Sequence, residues 1–182
     1  VIKSVFQMAV VWIAGSFITG NLFVLAVFGG LCAGFFEEFG RYLALTKWMK
    51  DSLDKENTVM YGIGHGGVEA MIVICSAYIS NLLLIFTINS GQLDMMLQGL
   101  DAASQTALLE AVSQLVTSPS WLFGLALAER VSAVILHIGF SWLVYCSIKE
   151  NNKKKLYVAI GWHAAVDAIS VILNSFVSPV VI

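Results

Sequence analysis

Glu37, Glu38, Glu69, Glu129 and Asp167 share the apolar stretches of this chain with Arg41, Arg130 and all three histidines, His65, His137 and His163. An ionisable side chain in hydrocarbon costs roughly 2.5–3.5 kcal/mol on insertion scales, so such groups persist there when paired or when used for chemistry or ion movement. Spacing groups them further. Glu37 and Glu38 precede Arg41 by four and three residues, which puts carboxylate and guanidinium on one helical face. His65 and Glu69 are four apart, as are His163 and Asp167, whose stripe Ser170 and Asn174 extend. Arg130, His137 and Ser141 form a weaker stripe, interrupted by the apolar Ala133 and Val134. A carboxylate beside histidines from other helices can take a proton from water, with no covalent nucleophile needed. Histidine, with an amide or acid, can stabilise an oxyanion. Three histidines and a carboxylate could instead hold zinc, although no H-E-x-x-H motif occurs.

Each group also has a structural reading. Glu38 with Arg41 is equally a buried ion pair. Glu129 and Arg130 neutralise each other and lie off the common level, which favours a structural role. A lone intramembrane histidine is often a helix-to-helix hydrogen bonder. Gly62, Gly64, Gly66 and Gly67 around His65 permit close helix approach. The tryptophans, Trp12, Trp48, Trp121, Trp142 and Trp162, read as interface or packing residues. Cys32, Cys75 and Cys146 share no ligand-like spacing and read as small hydrophobes, supporting neither a disulfide framework nor a cysteine metal site.

The elements that must position these groups are membrane spans. The 182 residues are 58% hydrophobic and 12% charged, with a mean hydropathy of +0.83. A soluble domain carries about twice that share of charge. Five spans are expected, at about 5–19, 22–45, 59–89, 118–148 and 156–176, in a single membrane-embedded all-α domain covering 1–182. Gly20-Asn21 is the expected turn after the first, and Ser118-Pro119 the expected start of the fourth. The first apolar run leads directly into further apolar sequence, so it reads as a span and not a removable signal. Val1 in place of Met predicts a trimmed sequence with further N-terminal helices. Lys3, Lys47, Lys50, Lys55, Lys149, Lys153, Lys154 and Lys155 all fall on one side of the alternating spans. The connector 90–117 has no Lys or Arg. The positive-inside rule makes the lysine side cytoplasmic and the connector extracytoplasmic. Leu93, Met96, Leu97 and Leu100, then Leu108, Val112 and Leu115, predict one or two amphipathic helices in it. At 1.5 Å per residue, Glu37 and Glu38 sit about 12–15 Å from the lysine ends, with His65, Glu69, His163 and Asp167 at comparable depth.

Glu37-Glu38-Phe-Gly-Arg41, Tyr61-x-x-x-His65 and His163-x-x-x-Asp167 together resemble the motif series of glutamic-type intramembrane proteases, the CAAX protease and bacteriocin-processing superfamily. With His65-Gly-Gly-Val-Glu69 and Glu129-Arg130 through His137, the pattern is most similar to the YhfC family of bacterial membrane proteins. The resemblance covers about residues 34–169. It implies Glu37 as general base, His65 as its helper in activating water, and His163 with Asp167 at the oxyanion. Glu38 and Arg41 would orient the site. Two departures stand out: the Glu-Glu to Arg spacing is one residue shorter than in the CAAX enzymes, and Asp167 replaces the usual amide. A carboxylate donates only when protonated, which leaves His137 as an alternative donor or a metal ligand.

The expected protein is therefore a multi-pass endopeptidase of the bacterial plasma membrane, needing no cofactor and cleaving a peptide or membrane-protein substrate from a cytoplasm-facing cavity. Lipid is its expected surrounding partner, and nucleic acid is not expected. One alternative is a zinc-dependent hydrolase using His65, His137 and His163. Another is a proton- or ion-coupled transporter or regulatory subunit, with Glu69, Asp167 and the histidines as a relay.

Overall fold

The computed structural model of the chain describes residues 10, 15 and 17–176. Apart from residues 10, 15 and 17–19, the expected first span lies outside them. The described residues are helical with no strand. α1 spans Leu22–Leu43 and continues as a π-helical turn, Ala44–Trp48, and a short 3-10 turn, Lys50–Ser52. α2 is Lys55–Asn89, α3 Leu93–Gln98, α4 Ala102–Thr117, α5 Trp121–Lys149 and α6 Lys153–Asn174. Among the described residues, four stretches are long and apolar enough to cross a membrane: Leu22–Trp48, Lys55–Asn89, Trp121–Lys149 and Lys153–Asn174. Large apolar side chains such as Leu31, Ile72, Leu82, Leu127, Ile135 and Leu173 are exposed, and Glu38, Arg41, Ser141 and Ser147 are buried. That inversion of the soluble pattern is what a lipid solvent permits. The protein is an all-α, multi-pass membrane protein.

The helix ends follow from capping. Asn21 caps α1, its side chain accepting from the Phe23 and Val24 amides at 2.9 and 3.2 Å. α2 starts four residues before the expected Val59 because the Asp54 carboxylate accepts from the Asn57 amide at 2.7 Å. That bond nucleates a polar first turn to which hydrophobic periodicity is blind. α6 gains a turn in the same way from Asn152, after Asn151 takes a left-handed conformation at φ 49°. α5 starts at Trp121 and not at Ser118, which is extended (φ −68°, ψ 128°) as a residue before proline must be. The expected amphipathic connector is α3 and α4, with Asp101 capping α4.

The chain divides into two compact units. The first comprises residues 17–66 and 134–176, and the second residues 67–133. In the first unit α1 packs along α6. Gly30 and Gly34 make this possible: a Cβ on either would sit 2.3 Å from the Ala164 carbonyl oxygen or 2.5 Å from that of Ile160. A second pair with the same four-residue spacing, Gly62 and Gly66, seats α2 on α5, where a Cβ would meet Ile138 Cα at 2.7 Å or Val134 Cα at 2.9 Å. Gly64 and Gly67 have nothing within 4 Å. Leu45, Val144, Leu156 and Ala159 form the apolar core near the lysine-bearing ends. In the second unit Gln105 donates to the Leu97 and Leu100 carbonyls, tying α4 to α3. Cys75 lies exposed in this unit, whereas Cys32 is buried in the first.

Candidate active site

α1 carries the centre of the site because the two glycine turns that draw it against α6 stand immediately before Glu37 and Glu38. Glu38 and Arg41 are fully buried and share a face, with Arg41 Nη2 3.3 Å from Glu38 Oε1. The same carboxylate oxygen accepts from His163 Nδ1 of α6 at 2.7 Å. Arg41 also reaches α5. Its Nη1 donates to the His137 carbonyl at 2.7 Å and to Ser141 Oγ at 3.0 Å, and its Nη2 to His137 Nδ1 at 2.9 Å. The rigid fork of guanidinium donors allows one side chain to hold a carboxylate, a carbonyl, a hydroxyl and an imidazole at once.

Glu37 faces two histidines. Its Oε2 lies 3.7 Å from His65 Nε2 and 3.6 Å from His163 Nε2, and the latter nitrogen is 3.8 Å from Asp167 Oδ2. Glu37 and His65 keep 21% and 25% of their side-chain surface exposed, enough for water to reach them, whereas His163 keeps 5%. Aromatic contacts order the rings. His65 and His137 stack at 4.7 Å, His137 meets His163 edge-on at 5.5 Å, and Phe140 stacks on His163 at 4.9 Å. Tyr61, one turn before His65, lies 6.0 Å from it. Carboxylates and imidazoles from four helices thus converge around Glu37 and Arg41.

A model of the family described as YhfC intramembrane metalloprotease matches residues 6–181. The chain belongs to that family. It is also 37% identical over 138 residues to the uncharacterized membrane protein YhfC of Bacillus subtilis (strain 168), an alignment covering 76% of this chain and 53% of that protein. The chain thus spans about half the length of the curated relative it matches. No solved structure matches it.

The description of the YhfC family implies a metal, and the donor set fits one. Glu37, His65 and His137 each offer a ligand atom, and these atoms lie within 4.8 Å of one another. Nitrogen and carboxylate donors are what hydrolytic zinc takes, and with bonds of about 2.0–2.1 Å the edge of its tetrahedron is about 3.4 Å. The separations of 3.6 and 3.7 Å around Glu37 Oε2 are a few tenths of an ångström larger. The His163 Nδ1–H to Glu38 contact is the carboxylate support that metal-bound histidines generally have. The expectation of a site without cofactor gains no support from the YhfC family description or from these donors, and the zinc alternative fits both.

The residues singled out from sequence do not all share one place. Glu37, Glu38, Arg41, His65, His137, His163 and Asp167 all belong to the first unit and meet through the contacts above. Glu69 falls in the second unit, one turn beyond His65 on the same face of the continuous α2. Glu129 and Arg130 also lie in the second unit and pair with each other, Arg130 Nε and Nη2 gripping the two carboxylate oxygens. Self-neutralisation is the structural role expected of them. Phe140 went unrecognised in the sequence. An aromatic three residues after His137 carries no signal of its own until α6 is laid beside it.

Proposed function

We propose that this chain is the site-bearing part of a metal-dependent peptidase that hydrolyses peptide bonds of peptide or membrane-protein substrates within a bacterial plasma membrane, from its cytoplasmic side. The observation that carries the proposal is the approach of His65 Nε2 and His163 Nε2, from different helices, to one oxygen of Glu37 at 3.7 and 3.6 Å. Glu37, His65 and His163 would hold the ion, His163 being supported from behind by Glu38 and Arg41. Zinc, when bound, would supply Lewis acidity, polarising a carbonyl and acidifying water.

The chain's own groups do the rest. The partial exposure of Glu37 and His65 admits water, while the buried Glu38–Arg41 pair keeps the His163 ring in one orientation. Asp167, whose side chain is 39% exposed with Oδ2 3.8 Å from His163 Nε2, is assigned the general base. It takes a proton from water as the water oxygen bonds to the carbonyl carbon. It returns that proton to the amide nitrogen as the C–N bond breaks. This differs from a purely glutamic mechanism, in which Glu37 is the base. Metal analysis of the purified protein separates the two. The proposal expects stoichiometric zinc, cleavage lost to a chelator and restored by zinc, and Glu37→Gln deficient in both. A protein free of bound metal that cleaves in chelator returns the base role to Glu37.

A further inference from the structure

We infer that His137 is a fixed N–H donor to the carbonyl oxygen under attack, and that Arg41 makes it one by holding the ring in the Nε2–H tautomer. A guanidinium has donors only. Arg41 Nη2 lies 2.9 Å from His137 Nδ1, so that nitrogen accepts. The same guanidinium is bonded to the His137 carbonyl at 2.7 Å and to Ser141 Oγ at 3.0 Å. With the residue 4% exposed, the ring has little freedom to turn over. In a neutral imidazole with Nδ1 accepting, Nε2 carries the hydrogen.

His163 is wired in the opposite sense. Its Nδ1 hydrogen is given to Glu38 at 2.7 Å, which leaves a lone pair on the Nε2 that faces Glu37. Ligands need a lone pair, and metal-bound histidines give their other N–H to an acceptor. His163 satisfies both conditions and His137 reverses both, although His137 lies close enough to Glu37 and His65 to be grouped with them as a ligand. The oxyanion produced as water adds to a carbonyl needs N–H or O–H donors. His163, with its Nδ1 hydrogen given to Glu38, faces Glu37 through the other ring nitrogen. With Nδ1 accepting from Arg41, His137 presents its ring hydrogen on Nε2, and Arg41 is its positioning residue.

This inference rests on the metal reading above, and its test separates the two. The full chain is purified in detergent with 15N-histidine, and ring nitrogen shifts are recorded without metal. Zinc binding is measured for wild type, His137→Gln, His137→Ala, His163→Gln and His65→Gln. Cleavage is followed on a membrane peptide that the wild type cuts in a zinc-dependent manner. Expected are an Nε2–H signature for His137, no longer uniform in Arg41→Gln, whose amide can accept as well as donate, and zinc affinity within about twofold of wild type in both His137 variants. His65→Gln and His163→Gln lose zinc. Cleavage falls about 10²–10³-fold in His137→Ala, as on removal of one oxyanion donor, and is partly restored in His137→Gln, whose amide keeps an acceptor for Arg41 and a donor for substrate. An Nδ1–H tautomer, zinc loss in His137→Gln, or wild-type cleavage by His137→Ala overturns the inference. Absence of zinc from all proteins with the His137 tautomer as expected refutes the metal reading and leaves the donor assignment standing.

Discussion

Replacing Gly30 by Ala tests whether close seating of α1 on α6 builds the site. The added Cβ would lie 2.3 Å from the Ala164 carbonyl oxygen, a backbone atom that cannot rotate away. Restoring contact to about 3.0–3.4 Å requires the helices to part by about 0.7–1.1 Å. Two turns further along, the 2.7 Å bond between His163 Nδ1 and Glu38 Oε1 would open to about 3.4–3.8 Å if the helices move as rigid bodies. Overpacking costs about 1–3 kcal/mol, and the lost bond to a charged group about 1.5–3 kcal/mol. The better helix propensity of Ala returns about 1 kcal/mol. A net loss of about 1.5–5 kcal/mol is expected, read by reversible unfolding in SDS, together with weakened zinc binding. Gly29→Ala is the control: nothing lies within 4 Å of that Cβ, so the variant should match or slightly exceed wild type. Equal stability and equal zinc affinity for the two variants would refute the claim that glycine contact sets the geometry of Glu38.

Other perturbations separate holding from chemistry. Glu37→Gln should lose zinc and cleavage together, whereas Asp167→Asn should keep zinc and lose cleavage about 10²–10⁴-fold, the usual worth of a general base; equilibrium dialysis and peptide cleavage read the two. Arg41→Ala leaves Glu38 buried without its guanidinium and should destabilise the protein by about 3–5 kcal/mol, seen as a lower SDS midpoint. Arg130→Ala should reduce folded yield without altering the zinc affinity of what folds, since its partner Glu129 is outside the site's unit. At the connector, hydrogen bonds from Ser104 hold the Asp101 carboxyl below its ordinary range. A depressed value means that the cap contributes fully above the unfolded carboxyl range and is lost as pH falls through the lower folded value. Protection of the Ala103 and Ser104 amides, taken as exchange relative to the intrinsic rate at each pH, should therefore fall at pH well below about 4, and Asp101→Asn should remove that dependence.

Much of the site was legible because intramembrane charge is costly and helical spacing is regular. Glu37, Glu38, His65 and His163 could be collected onto inward faces from spacing alone. Which group answers which could not. Arg41 lies close to Glu38 in sequence, and their pairing was read, but its grip on His137 and Ser141 spans 96 and 100 residues and depends on how far α5 slides along α1. The division of labour among histidines is likewise invisible in sequence, since it is set by whether the neighbour of Nδ1 donates, as Arg41 does, or accepts, as Glu38 does. Helix starts at Lys55 and Lys153 were missed because Asp54 and Asn152 extend helices into charged residues that hydropathy assigns to loops.

The π-helical turn after α1 has a consequence for how the polar interior is connected to the membrane edge. Arg41 and Trp48 are seven residues apart, which on an uninterrupted α-helix would point them almost the same way. Here Arg41 is fully buried and Trp48 is 84% exposed. The wider turn, closed by the Met49 amide on the Ala44 carbonyl at 3.0 Å, swings the aromatic anchor off the arginine's bearing. The segment thus sets the bearing of the buried arginine apart from that of the exposed aromatic. Tightening that turn to ordinary α-helical bonding with all its residues kept would leave hydropathy and charge almost untouched, yet would twist the aromatic back toward the arginine's buried bearing.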